Sequence, residues 1–184
     1  MNPAIATFPP CQVFYYLAMQ KCTFSALHSM ETMDKIRLQY DDQLPQPDVM
    51  LAFLNQFQNI IHQAGSLSRY FWPSRKEHRS RGEFLRNKFA MKDDDPLNNR
   101  ELRNALEHFD ERLDDFVLGK NAGEFVPDYF GRKLDDKQGT RHFMRSYFVD
   151  TDEFTVLGEV FAVQPIVMSI GSVNQRLTAI LQGG

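Results

Sequence analysis

Two cysteines, one tryptophan and a net charge of only −3 in 184 residues set the first limits on what this chain can be. Cys11 and Cys22 fall within one stretch of helical pattern, and eleven residues of helix would hold them about 16 Å apart, too far for a disulfide. Reduced thiols, and with them a cytoplasmic setting, are the expectation. No apolar run approaches the roughly 18 residues of a membrane span, and the opening MNPAIATFPP lacks a basic start followed by an apolar core. Neither secretion nor membrane insertion is predicted. The chain also lacks a Gly-rich phosphate loop, a GxSxG elbow and a CxxC pair, the usual marks of P-loop, α/β-hydrolase and thiol-redox chemistry. The small net charge gives no global attraction for nucleic acid.

What is present is an ordinary globular composition, 42% apolar and 24% charged, with 16 phenylalanines. That excludes disorder as a main theme, and the length suits a single domain over residues 1–184. The charge is unevenly spread. Between residues 69 and 88, seven basic residues (Arg69, Arg75, Lys76, Arg79, Arg81, Arg86, Lys88) face two acidic ones, Glu77 and Glu83, a local net of +5. An anion-facing surface and a solvated basic face both fit this pattern.

Along the chain, a Pro pair at residues 9–10 opens an apolar-rich stretch to residue 40 without Gly or Pro, read as one long helix or two joined near residues 23–25. DDQLPQPD is a loop that ends at Asp48, a suitable N-cap. Met50, Phe53, Phe57, Ile60, Ala64, Leu67 and Phe71 then recur at steps of three and four, the spacing of a core helix over residues 49–71. GEFLRNKFAM reads as a short helix, and residues 119–139 read as a long surface connection. RHFMRSYFV and FTVLGEVFAV, separated by DTDE, are rich in aromatic and β-branched residues and read as a two-stranded hairpin over 141–163. A final helix is expected over 165–182, opened by Pro165. The predicted fold class is mainly α: a helical bundle with a small C-terminal β-hairpin and a final helix.

The stretch ELRNALEHFDERLDDF, residues 101–116, holds the chemistry. Asn98 with Glu101 fits a capping box, which starts this helix near Asn99. Leu102, Leu106, Phe109, Leu113 and Phe116 alternate steps of four and three and form one apolar stripe. Asn104, His108, Glu111 and Asp115 fall roughly opposite, with Arg103 and Arg112 on the flanks. On spacing alone, a solvated face laced by (i, i+4) pairs such as Arg103–Glu107 and His108–Arg112 accounts for these residues as well as a catalytic face does. Metal-ligand types splay around the helix, and no Glu-x-x-His appears on another helix, so no metal site is predicted. His28, His62, His78 and His142 are scattered and read as packed or surface residues.

RNALEH, an Arg followed by a polar residue and by His five positions on, resembles the signature of the HEPN superfamily (higher eukaryotes and prokaryotes nucleotide-binding). The longer run from Arg81 onward, with RG..LR ahead of the motif, is similar to a bacterial HEPN-type group. The resemblance covers residues 11–118 and leaves the hairpin and last helix outside. It implies a HEPN-like helical core carrying the motif on a late helix. It also implies a metal-independent endoribonuclease working at a homodimer interface, without cofactor. Arg103, Asn104 and His108 would be its catalytic residues. His titrates near neutrality and suits acid/base transfer; Arg stays charged and grips phosphate. Glu111 as a support for His108, and Arg81 and Arg86 as phosphate contacts at the rim, complete this reading. By analogy the protein would be a toxin or phage-defence effector, with RNA as substrate and an antitoxin or other protein as partner. The alternative is a non-catalytic HEPN-like module that binds a nucleotide or a protein partner, towards which the acidic run EHFDERLDD leans.

Overall fold

The computed structural model of the chain describes residues 9–39, 45–104, 109–120, 122–134 and 139–183, apart from the side chains of residues 9, 10 and Arg103. Helix α1 (Pro9–Arg37) is continuous, because no Gly or Pro interrupts it after the opening pair. Helix α2 (Pro47–Phe71) starts with Pro47 at its first position, where a missing N–H removes no helical hydrogen bond. Asp48 is therefore one residue inside the helix rather than its cap, and its carboxylate complements the positive end. Phe53, Phe57, Ile60, Ala64, Leu67 and Phe71 are all buried, so the stripe read from the sequence is the core face.

The two long helices are antiparallel and joined by a polar ladder. Asn59 Nδ2 donates to Ser25 Oγ at 3.0 Å and Ser29 Oγ at 2.8 Å, and Ser29 Oγ donates to Gln56 Oε1 at 2.8 Å. After a 3-10 turn (Lys76–His78) comes α3 (Arg79–Lys88), then α4 (Arg100–Asn104) and α5 (Phe109–Leu118). The cap of α4 is Asn99, whose Oδ1 accepts from the Glu101 N–H at 2.8 Å; Asn98, expected in that role, donates instead to the Asp93 carbonyl.

The mainly α expectation with a lone hairpin is overturned by the middle of the chain. Four strands, β1 (Glu124–Gly131), β2 (Arg141–Phe148), β3 (Glu153–Val156) and β4 (Glu159–Ala162), form one mixed sheet in the order β1-β2-β3-β4, making the fold mixed α/β. Strand β1 lies in the segment read as a surface connection and pairs parallel to β2, with Asp128 opposite Arg145. Pro127 hid it from the sequence, since proline is tolerated only at an edge, and β1 is an edge strand. The return from Gly131 at the end of β1 to Arg141 at the start of β2 is short for a parallel crossover, yet ten residue steps of about 3.3 Å are enough to cover the length of the strand. The second half of the supposed hairpin is itself a hairpin: Leu157 (φ 49°) and Gly158 (φ 83°) turn β3 antiparallel into β4, the two positive φ values of a type I′ turn.

Helix α6 (Val163–Gln182) follows β4 directly and packs on α1, with Thr23 Oγ1 donating to Asn174 Oδ1 at 2.8 Å. The sheet docks on the first half of α2 through aromatic contacts: Phe53 to Phe130 at 4.5 Å, Phe57 to Phe154 at 4.7 Å and Phe57 to Tyr147 at 4.9 Å between ring centres. Among the described residues no helix is long and apolar enough to cross a membrane.

Candidate functional site

The first two residues of the motif, Arg103 and Asn104, are the last described residues of α4, and α5 is described from Phe109. Leu102 is buried, and Phe109, Leu113 and Phe116 are half-buried against the core, so the apolar stripe faces inward on both sides of the motif. Asn104 is half-buried, while Glu111 and Asp115 are exposed. Residues 105–108 lie outside the described residues, and with them His108; Arg103 is described by its helical backbone alone. One residue not singled out from the sequence brackets this segment. Arg112 Nη1 donates to the Asn104 carbonyl at 3.1 Å, and its Nη2 lies 3.6 Å from Glu159 on β4. Arg112 thus ties the end of α4 to α5 and both to the sheet, which is a positioning role.

The basic segment has a structure-forming task. The last carbonyls of a helix have no partner within it, and α3 supplies partners for the end of α2: Arg81 Nη2 donates to the Arg69 carbonyl at 2.9 Å, and Arg86 Nη1 donates to the Phe71 carbonyl. Between them Gly82 comes so close that a Cβ there would meet Pro73 Cδ at 2.6 Å and the Phe71 oxygen at 2.7 Å. Leu85 is buried beneath. Every fixed position of RG..LR is accounted for by this clamp, and both cations suit the negative helix end.

Arg81 also lines a cleft. Ser66, Arg69 and Tyr70, at the (i, i+3, i+4) positions of the last turns of α2, form one wall and Arg81 the other, around about 240 Å³. The Arg81 guanidinium lies 5.7 Å from the centre of the Tyr15 ring, and Tyr15 meets Tyr70 edge-on at 6.5 Å. Burial holds the Tyr70 phenol above its ordinary range, with Cys22 adding to the effect and Arg81 opposing it. Ser66 and Tyr70 carried no motif; their signal was polar donors at helical spacing beside the basic run. Comparison with protein-family models, with curated proteins and with solved structures finds no match to this chain.

Proposed function

We propose that this chain is a metal-independent endoribonuclease of HEPN type, acting in the cytoplasm as a homodimer. The observation that carries the reading is the Arg103–Asn104–x3–His108 spacing in a segment whose flanking apolar residues, Leu102, Phe109, Leu113 and Phe116, are turned into the core. Polar positions opposite that stripe are then available to a substrate. In the reaction the ribose 2′-oxygen attacks phosphorus, forming the P–O2′ bond of a 2′,3′-cyclic phosphate as the P–O5′ bond breaks. His108 takes the 2′-hydroxyl proton, and the partner subunit's His108, protonated, delivers one to the 5′-oxygen. Arg103 stabilises the negative charge gathered on the phosphoryl oxygens. Asn104 orients the imidazole or the phosphate. Arg81 and Arg86 each use one N–H on the end of α2 and keep others for phosphate at the rim. A dimer is needed to bring two Arg/His pairs into one cleft, and the exposed Val117 and Leu118 at the end of α5 supply apolar surface for it. A toxin or defence role, held in check by a protein partner, is carried by analogy.

One observation favours a second reading, a non-catalytic module for a nucleotide or protein partner. Asp110, Glu111, Asp114 and Asp115 on α5 are all exposed and would repel a phosphate chain. RNA cleavage in excess chelator separates the two. We expect wild-type protein to release cyclic-phosphate ends, and His108→Ala and Arg103→Ala each to lower the rate by about 100-fold or more with the oligomer intact. Cleavage indifferent to His108, or none on diverse RNAs, leaves the binding module.

A further inference from the structure

We propose that the cleft between the last turns of α2 and the start of α3 binds the phosphoryl dianion of a small phosphate monoester. Arg81 and Arg69 would supply charge, and Ser66 and Tyr70 hydroxyl hydrogen bonds. The site shares Arg81 with the rim of the proposed nuclease but uses neither Arg103 nor His108, so its binding and RNA cleavage can fail separately.

The first observation is the state of Arg81. Arg81 is half-buried as a residue, and its guanidinium is held in place by the Arg69 carbonyl and the Tyr15 ring. Among the described residues it makes no ion pair, and its Nε–H is sealed from solvent without an acceptor. A partly desolvated cation without a counter-charge is unfavourable, and an anion in the adjoining cleft relieves that. The buried Arg145 shows the opposite case: its guanidinium is matched by Asp128, Asn55 and Gln58 and has nothing left to offer a ligand.

The second observation is the lining. Ser66, Arg69, Tyr70 and Arg81 can all donate hydrogen bonds, and among the described residues no carboxylate lines the cleft. Burial keeps the Tyr70 phenol protonated well above neutrality, so it remains a donor. Two arginines with two hydroxyls suit the several oxygens and double charge of a phosphoryl group. The third observation is size. About 240 Å³ lies below the roughly 300–1,000 Å³ of sites that enclose a drug-sized ligand, which fits a phosphate with its attached sugar rather than a longer chain.

Calorimetric titration of the full chain with ribose 5-phosphate, a nucleoside 5′-monophosphate and inorganic phosphate tests this. Saturable binding of ribose 5-phosphate at one site is expected, weakened about tenfold or more by Arg81→Gln. Because Arg81 also holds the end of α2, Arg69→Gln and Tyr70→Phe, which leave that clamp in place, must weaken binding as well. Arg176→Gln, on the exposed face of α6, must not. Inorganic phosphate binding as well as the esters places recognition on the phosphoryl group; tighter binding of an ester adds the sugar or base. The proposal is overturned if ribose 5-phosphate gives no saturable binding at millimolar concentration, or if neither Arg69→Gln nor Tyr70→Phe alters the affinity.

Discussion

Arg145 shows how a single charge can set the geometry of a fold. It is 8% exposed on β2, with Nε and Nη2 donating to the two Asp128 oxygens at 2.7 and 3.0 Å and Nη1 donating to Asn55 and Gln58 on α2. The pairing fixes strand register, because Asp128 stands opposite Arg145, and the Glu124–Arg141 pair repeats the arrangement four residues earlier. The outer pair is more exposed and contributes little to stability. Arg145→Ala would strand a half-buried carboxylate and two amides, and we expect a loss of about 3 kcal/mol or more in chemical denaturation. Glu124→Gln should cost less than about 1 kcal/mol in the same assay. In the sequence Arg145 is one more residue of an aromatic strand; its importance depends on a partner in β1, which the sequence pattern does not announce.

Among the elements, the joint between α2 and α3 is the most constrained. Two arginines hold the carbonyls at the end of α2, and Gly82 lets the backbones approach. Gly82→Ala would force its methyl group against the Phe71 oxygen and the Pro73 ring, so the expected cost is roughly 1–3 kcal/mol, read as a lower thermal midpoint. The cleft lies beside the same joint, so calorimetry on this variant should also show weaker binding of ribose 5-phosphate. In the sheet the Leu157–Gly158 turn makes a hairpin of what reads as one strand. Leu157 adopts a positive φ that suits glycine or asparagine better, and burial of its side chain with an N–H to the Met144 carbonyl at 2.8 Å offsets the strain. Gly158→Ala should destabilise by about 1 kcal/mol in the same thermal assay.

Across the whole molecule, burial of weak acids links stability to alkaline pH. Burial raises the Tyr147 phenol well above its ordinary value, helped by its hydrogen bond to the Asp152 carboxylate at 2.6 Å. Burial also raises Tyr16, Tyr70 and Cys22. Each group holds its proton more tightly when folded than unfolded. Their contribution is therefore complete below the unfolded values of about 8.5 for Cys and 10 for Tyr, and it is lost as pH rises beyond them. Thermal unfolding followed from about pH 8 to about pH 11 should show a falling midpoint, and Tyr147→Phe should flatten the fall. A midpoint that climbed over that range would contradict the burial of these groups.

Local pattern was enough for the helices. The three-and-four spacing of Phe53 to Phe71 and of Leu102 to Phe116 marks which side turns inward, because helical periodicity is a property of neighbouring residues alone. The Arg–Asn–x3–His spacing was legible for the same reason, and the basic run announced charge near residues 69–88. What that charge does was not legible. Arg81 and Arg86 reach carbonyls ten or more residues away in the chain, and the cleft needs two helices at a fixed angle. The sheet is the part of the fold least visible in the sequence, since a parallel pair between β1 and β2 has no tight hairpin turn to announce it and Pro127 argues against a strand. The sequence by itself determined helix positions, buried faces and the candidate chemistry of residues 103–108. The pairing of β1, the clamp and the cleft were decided only in three dimensions, because each is a contact between segments whose separate patterns carry no record of one another.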